Sequence, residues 1–222
     1  AIVEISADKT LSYDNLKDSW ADNEDVLKKI VLDNNEDEFA TVSYTVKNDS
    51  REETKYGVVD EERKININTA SADILIALLE SYQIETPADV ANNILIWRGT
   101  VPDSNKIYES LGYPCKANKF TNGEEITLVK GISPKDYQRI KELITVYGDG
   151  MININTISTE ALNIFCRGIA KSLHINESFA DSLALKIIEL RGRDGYFKEK
   201  GDIKIALTGD EETNIFNNLM NN

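Results

Sequence analysis

The sequence predicts an α+β protein: a small antiparallel sheet within residues 1–63, then a larger helical part built from a repeated unit. Three observations predict it. Apolar residues alternate with polar ones over 39–46, whereas beyond residue 63 they recur at helical spacing. Charge changes at the same place: residues 1–62 hold 17 acidic against 7 basic side chains, a net of −10, and the rest of the chain has a net of only −3. The segment Ile-Asn-Ile-Asn-Thr occurs twice, at 65–69 and 152–156.

With 222 residues the chain is long enough for one large domain or two small ones. The division that follows from these signals is 1–63, 64–149 and 150–222. Val26, Leu27, Ile30 and Val31 fall at helical spacing within a polar stretch over 11–33. Ala40, Val42, Tyr44 and Val46 then share one face of an expected strand, with Thr41, Ser43 and Thr45 on the other. Residues 48–51 read as a turn, and 56–59 as the return strand.

Each copy of the repeat opens a helix. Ile65, Asn66, Asn68 and Thr69 form the first opening, with Thr69 as N-cap. Asn153, Asn155 and Thr156 form the second, with Thr156 as N-cap. Each copy continues into another helix that ends in Arg-Gly, at Arg98-Gly99 and Arg191-Gly192. Between the copies, residues 124–130 form a short helix stopped at Gly131. Ser133 then caps a new helix, with Pro134 at its first position and Asp136 at the capping-box position. Tyr137, Ile140, Leu143, Ile144 and Tyr147 line one face of it. This is a helix–hairpin–helix pattern.

Such hairpins often bind DNA phosphates through a Gly–apolar–Gly turn, where the absent side chains let backbone N–H groups approach. Here the turns read Gly131-Ile132-Ser133 and Gly168-Ile169-Ala170, each without the second glycine. A net charge of −13 further opposes nucleic acid. Catalysis has no support: His174 is the lone histidine, and neither a nucleophile motif nor a phosphate loop accompanies it. No cofactor follows from the sequence. The acidic stretches 33–38 and 60–62 offer the hard oxygen ligands that calcium prefers, but match no defined calcium loop; solvated acidic loops are the alternative. Cys115 and Cys166 match no zinc spacing and read either as two small buried residues or as one disulfide. No run approaches the roughly 18 apolar residues of a membrane span. The opening Ala1-Ile2-Val3 suggests a trimmed or processed chain, and no signal peptide is visible.

The ordered set of segments resembles a known family. Residues 13–21, the acidic run at 59–62 leading into Asn66 and Thr69, the stretches 113–120 and 125–132, and the second Asn-Ile-Asn-Thr segment at 151–160 stand in the order found in general secretion pathway protein K, the large minor pseudopilin of type II secretion systems. The resemblance covers roughly residues 11–192. It implies a pilin-like sheet carrying a helical insertion, and a non-enzymatic subunit at the tip of a periplasmic pseudopilus. The implied place is the periplasmic face of the Gram-negative inner membrane, and the implied partners are minor pseudopilins I and J. These are expected to contact residues 1–62. No nucleic acid is implied, and the membrane is met only through an N-terminal apolar helix that this chain does not contain. Calcium binding is reported for some members, without a ligand set that maps onto these residues. The other class the motifs allow is a competence-type helix–hairpin–helix module that binds DNA.

Overall fold

The structure is a computed structural model and describes residues 14–33, 35–48, 51–104 and 106–221. The protein is α+β, and the chain divides into two compact units between Asp60 and Glu61. The stretches 64–149 and 150–222 pack together within the second unit.

In the first unit, helix α1 (Glu24–Leu27) is capped by Asn23, whose side chain accepts from the Val26 N–H at 3.3 Å. Strand β1 (Ile30–Leu32) pairs antiparallel with β2 (Asn35–Ala40), with Val31 opposite Phe39. Strand β3 (Tyr44–Asn48) pairs antiparallel with β4 (Arg51–Lys55), with Tyr44 opposite Lys55.

Three expectations are corrected here. The helix ends at Leu27, and Ile30 and Val31 are in a strand. β-Branched residues at this short spacing fit either element. The single strand expected over 39–46 is broken at 41–43. There Val42 donates its N–H to the Leu27 carbonyl at 2.9 Å, and Thr41 donates its hydroxyl to the Lys28 carbonyl at 2.8 Å. The return strand is 51–55 rather than 56–59; Tyr56 and Val58 instead bond Asn23 and Trp20. Of the expected turn at 48–51, residues 49 and 50 lie outside the described residues.

The second unit begins with a 3-10 turn (Glu61–Arg63) and strand β5 (Ile65–Asn66). Helices α2 (Ala72–Ser81) and α3 (Pro87–Trp97) follow, then 3-10 turns at Glu109–Leu111 and Gly123–Leu128, and helix α4 (Pro134–Ile140). Strand β6 (Ile144–Thr145) returns parallel to β5, with Ile65 opposite Ile144. The second copy supplies α5 (Thr159–Ser172), α6 (Glu177–Asp194), α7 (Lys200–Lys204) and α8 (Asp210–Leu219).

One apolar core runs through both copies, from Ile65, Leu75 and Ile94 to Leu162, Ile187 and Phe216. Helix α2 packs on α5, and α5 on α6 and α8. Hydrophobic burial of this kind contributes about 25 cal/mol per Å² and outweighs the weak propensity of the shorter helices. The capping box at α4 forms as its sequence suggests, with Ser133 and Asp136 bonding reciprocally. Its apolar face is shorter than the spacing implies: α4 gives way to β6, and Tyr147 is 63% exposed.

Candidate functional site

The two Asn-Ile-Asn-Thr segments are turns in their own right, placed before the helices they introduce. The Asn66 side chain accepts the Asn68 N–H at 2.9 Å, and the Asn153 side chain accepts the Asn155 N–H at 3.0 Å. Asparagine favours such local turns because its carbonyl reaches the backbone two residues on. The turn moves both caps by two residues. Ser71 and Ser158, not Thr69 and Thr156, accept from the first-turn N–H groups, of Ile74 and Ala161. The threonine hydroxyls lie 3.4 Å from the Asn66 and Asn153 carbonyls. Removing either serine oxygen, as in Ser158→Ala, is expected to cost about 1 kcal/mol, measured by thermal unfolding.

The second asparagine of each copy clamps a phenylalanine backbone. Asn68 accepts the Phe120 N–H at 2.8 Å and donates to its carbonyl at 3.1 Å. Asn155 does the same with Phe197, at 2.7 and 3.0 Å. An arginine then locks the turn from the far helix. Arg98 donates to the carbonyls of Ile67 and Ala70, and Arg191 to those of Ile154 and Ile157. Burial pulls both guanidinium groups below their usual pKa. They remain cationic because guanidinium deprotonates only far above neutral pH. Arg98 reaches its two carbonyls with two different nitrogens, a fork that lysine, a compact point charge, cannot reproduce, whereas both bonds of Arg191 come from Nη1. Arg98→Lys is therefore expected to lower stability by about 1–2 kcal/mol in chemical denaturation.

The correspondence continues beyond the phenylalanines. Glu125 accepts the Thr121 N–H, and Asp202 accepts the Lys198 N–H, each one residue past its phenylalanine. Ile126 and Ile203, six residues past each phenylalanine, are both buried. Sequence reading finds the asparagines and the Arg-Gly ends but misses the Asn–Phe clamps, because 52 residues separate Asn68 from Phe120 and only 42 separate Asn155 from Phe197.

The hairpin glycines have packing roles. The short helix expected over 124–130 is a 3-10 helix that ends at Leu128 with Val129 as its cap; Gly131 lies in the turn beyond it with φ of +98°, and a side chain there would meet Val90 at 2.5 Å. Gly168 is not in a turn at all. It lies inside α5, where an added Cβ would come within 2.6 Å of the Ile74 backbone in α2. His174 sits exposed in the turn between α5 and α6, with φ of +55°.

The cysteines are free thiols, so the disulfide reading is corrected. Cys115 donates to the Ile96 carbonyl at 3.5 Å. Cys166 is fully buried in α5, and burial pushes its thiol up to about 12. Thiol titration of the native protein should label Cys115 well before Cys166, whereas a disulfide would leave neither to react.

Among the described residues, no three His, Cys, Asp or Glu side chains gather where they could hold a metal. Of the acidic stretches, Asp33, Asp37 and Glu38 are exposed, and Glu61 pairs with Lys64 at 2.6 Å. Among the described residues, no helix is long and apolar enough to cross a membrane.

Among the described residues, Glu212 is the most enclosed carboxylate, 3% exposed. It pairs with Lys186 at 2.7 Å and accepts from Ser182 and the Thr208 N–H. Burial alone would raise its pKa, but Lys186, Thr208 and Ser182 outweigh this and hold it below the usual carboxylate range. The folded state thus binds this proton less tightly than the unfolded chain. Its stabilising contribution is complete above the unfolded value, about 4.3, and is lost as pH falls through the lower folded value. Urea midpoints measured between neutral and acidic pH should fall less steeply in Glu212→Gln.

One Asn-clamped, Arg-locked helical unit thus occurs twice. A scan against models of known protein families gives no match, and a search among curated proteins gives none.

Proposed function

We propose that this chain is the soluble part of a minor pseudopilin resembling general secretion pathway protein K. It acts without catalysis at the tip of a periplasmic pseudopilus, attached to the inner membrane before assembly. The single observation that carries the reading is the order of the parts. A unit of short antiparallel hairpins is followed by the acidic turn at Glu61–Arg63, which feeds the first Asn-Ile-Asn-Thr copy. A long insertion precedes Phe120, and a compact second copy follows. The helical copies are of helix–hairpin–helix type and serve here as bulk and as surface.

The hairpin geometry favours this reading over DNA binding. A phosphate-binding turn leaves its glycine open to the ligand, whereas the space at Gly131 is filled by Val90, and Gly168 lies inside a helix rather than in a turn. The chain's charge of −13 adds repulsion.

Co-elution tests the proposal. The chain is mixed with the soluble domains of pseudopilins I and J from the same organism and run on size exclusion at tens of micromolar. A shared, earlier peak is expected. Separate elution, together with salt-sensitive retardation of duplex DNA at about 100 µM protein or below, would replace the proposal with the competence-type module.

A further inference from the structure

The two copies differ most in the stretch between the locking arginine and the clamped phenylalanine. In the first copy, 22 residues lead from Arg98 to Phe120; in the second, six lead from Arg191 to Phe197. The extra residues of the first copy fold back over the end of α3. Tyr108 is fully buried against Trp97, with ring centroids 5.0 Å apart, and Tyr113 packs edge-on to the same indole at 6.2 Å. The Tyr108 hydroxyl donates to the Asn93 carbonyl at 2.9 Å, and that of Tyr113 to the Leu128 carbonyl at 2.8 Å. Lys116 closes the cover with an ion pair to Glu125 at 2.7 Å.

The clamps and locks above put the copies in register. Arg98 matches Arg191, so Trp97 matches Leu190. Phe120 matches Phe197, so Glu125 matches Asp202, Leu128 matches Ile205 and Val129 matches Ala206. Leu190, Asp202, Ile205 and Ala206 line an open groove of about 600 Å³, whose other walls include Tyr196 and Lys198. Ile205 on its rim is 89% exposed, the most exposed large apolar side chain among the described residues. No cation pairs with Asp202 among the described residues; its carboxylate accepts backbone N–H groups of Lys198 and Glu199.

We infer that the groove between the end of α6 and α7 is a docking site for a loop of a partner protein that carries aromatic side chains followed by a lysine or arginine. In the first copy the chain covers this surface itself, with two tyrosines on the apolar wall and a lysine on the acid. The second copy keeps the wall and the acid and lacks the cover. Aromatic side chains bring large contact area at low conformational cost, and their polar tips bond the carbonyls at a helix end. The inference stands on the internal comparison and does not depend on the pseudopilin reading.

The cover of the first copy supplies the probe. A synthetic peptide of residues 106–119, with Cys115 replaced by serine, is titrated into the isotope-labelled full chain and followed by NMR. Saturable shifts are expected at Tyr196, Ile205 and Ala206. Ile205→Glu, an exposed change that leaves the core untouched, should weaken them by roughly tenfold or more. A peptide with both tyrosines changed to alanine should leave the spectrum unchanged. The inference is overturned by an unchanged spectrum at about 1 mM wild-type peptide, an affinity too weak for a built site. Shifts that ignore the tyrosines or Ile205 overturn it as well. So do groove shifts that grow with protein concentration alone, which would make a second copy of this chain the occupant.

Discussion

Replacing Gly168 with valine is expected to destabilise the helical unit by about 3 kcal/mol, at the upper end of what overpacking costs. The cause is local. Helices α2 and α5 touch through backbone at this point, and even a Cβ would stand 2.6 Å from the Ile74 Cα. That neighbour is main chain, so no side-chain rotation relieves the collision and the helices must separate. Alanine is the instructive control. In an exposed helix interior, Gly→Ala stabilises by about 1 kcal/mol through helix propensity. Gly168→Ala should instead destabilise, because the close approach outweighs propensity. Urea unfolding followed by far-ultraviolet circular dichroism measures both. A rise in midpoint for Gly168→Ala would contradict the packing described for α2 and α5.

The second large effect is expected at Asn155. Its side chain satisfies the N–H and the carbonyl of Phe197, and both residues are buried, at 5% and 4% exposure. Asn155→Ala leaves a donor and an acceptor without partners away from water, each costing about 1–3 kcal/mol. A total loss of about 3–4 kcal/mol is expected, enough to lower the melting temperature of a unit this size by roughly 10 °C. Asn155→Asp should also destabilise. The acid still accepts from the Phe197 N–H, but its second oxygen faces the Phe197 carbonyl. Asn68→Ala should cost less, because the equivalent clamp on Phe120 is only partly buried. Comparable losses at the two sites would contradict the difference in burial.

Much of this scaffold is legible in the sequence, for physical reasons. The repeat shows as identical residues because both copies need the same asparagine turn. The Ser133–Asp136 capping box shows because its residue types serve few other local purposes. The change of character near residue 63 tracks charge, and the units divide at 60–61.

What stays hidden depends on partners distant in the chain. Thr69 reads as a cap until the Asn66 turn is seen to delay the helix to Ser71. Thr41 and Val42 have strand-like composition, yet their hydrogen bonds go to Leu27 and Lys28, which no periodicity reports. Gly168 reads as a hairpin glycine because the sequence does not reveal the approach of α2. The Asn–Phe clamps carry one faint signal: an isoleucine six residues after each phenylalanine, Ile126 and Ile203, both buried.

The measurement that tests the account most directly is protein export in the source organism after deletion of the gene for this chain. The account predicts that normally secreted proteins accumulate in the periplasm, and that the wild-type gene restores their export. Normal export combined with loss of DNA uptake would contradict it and assign the duplicated unit to nucleic acid.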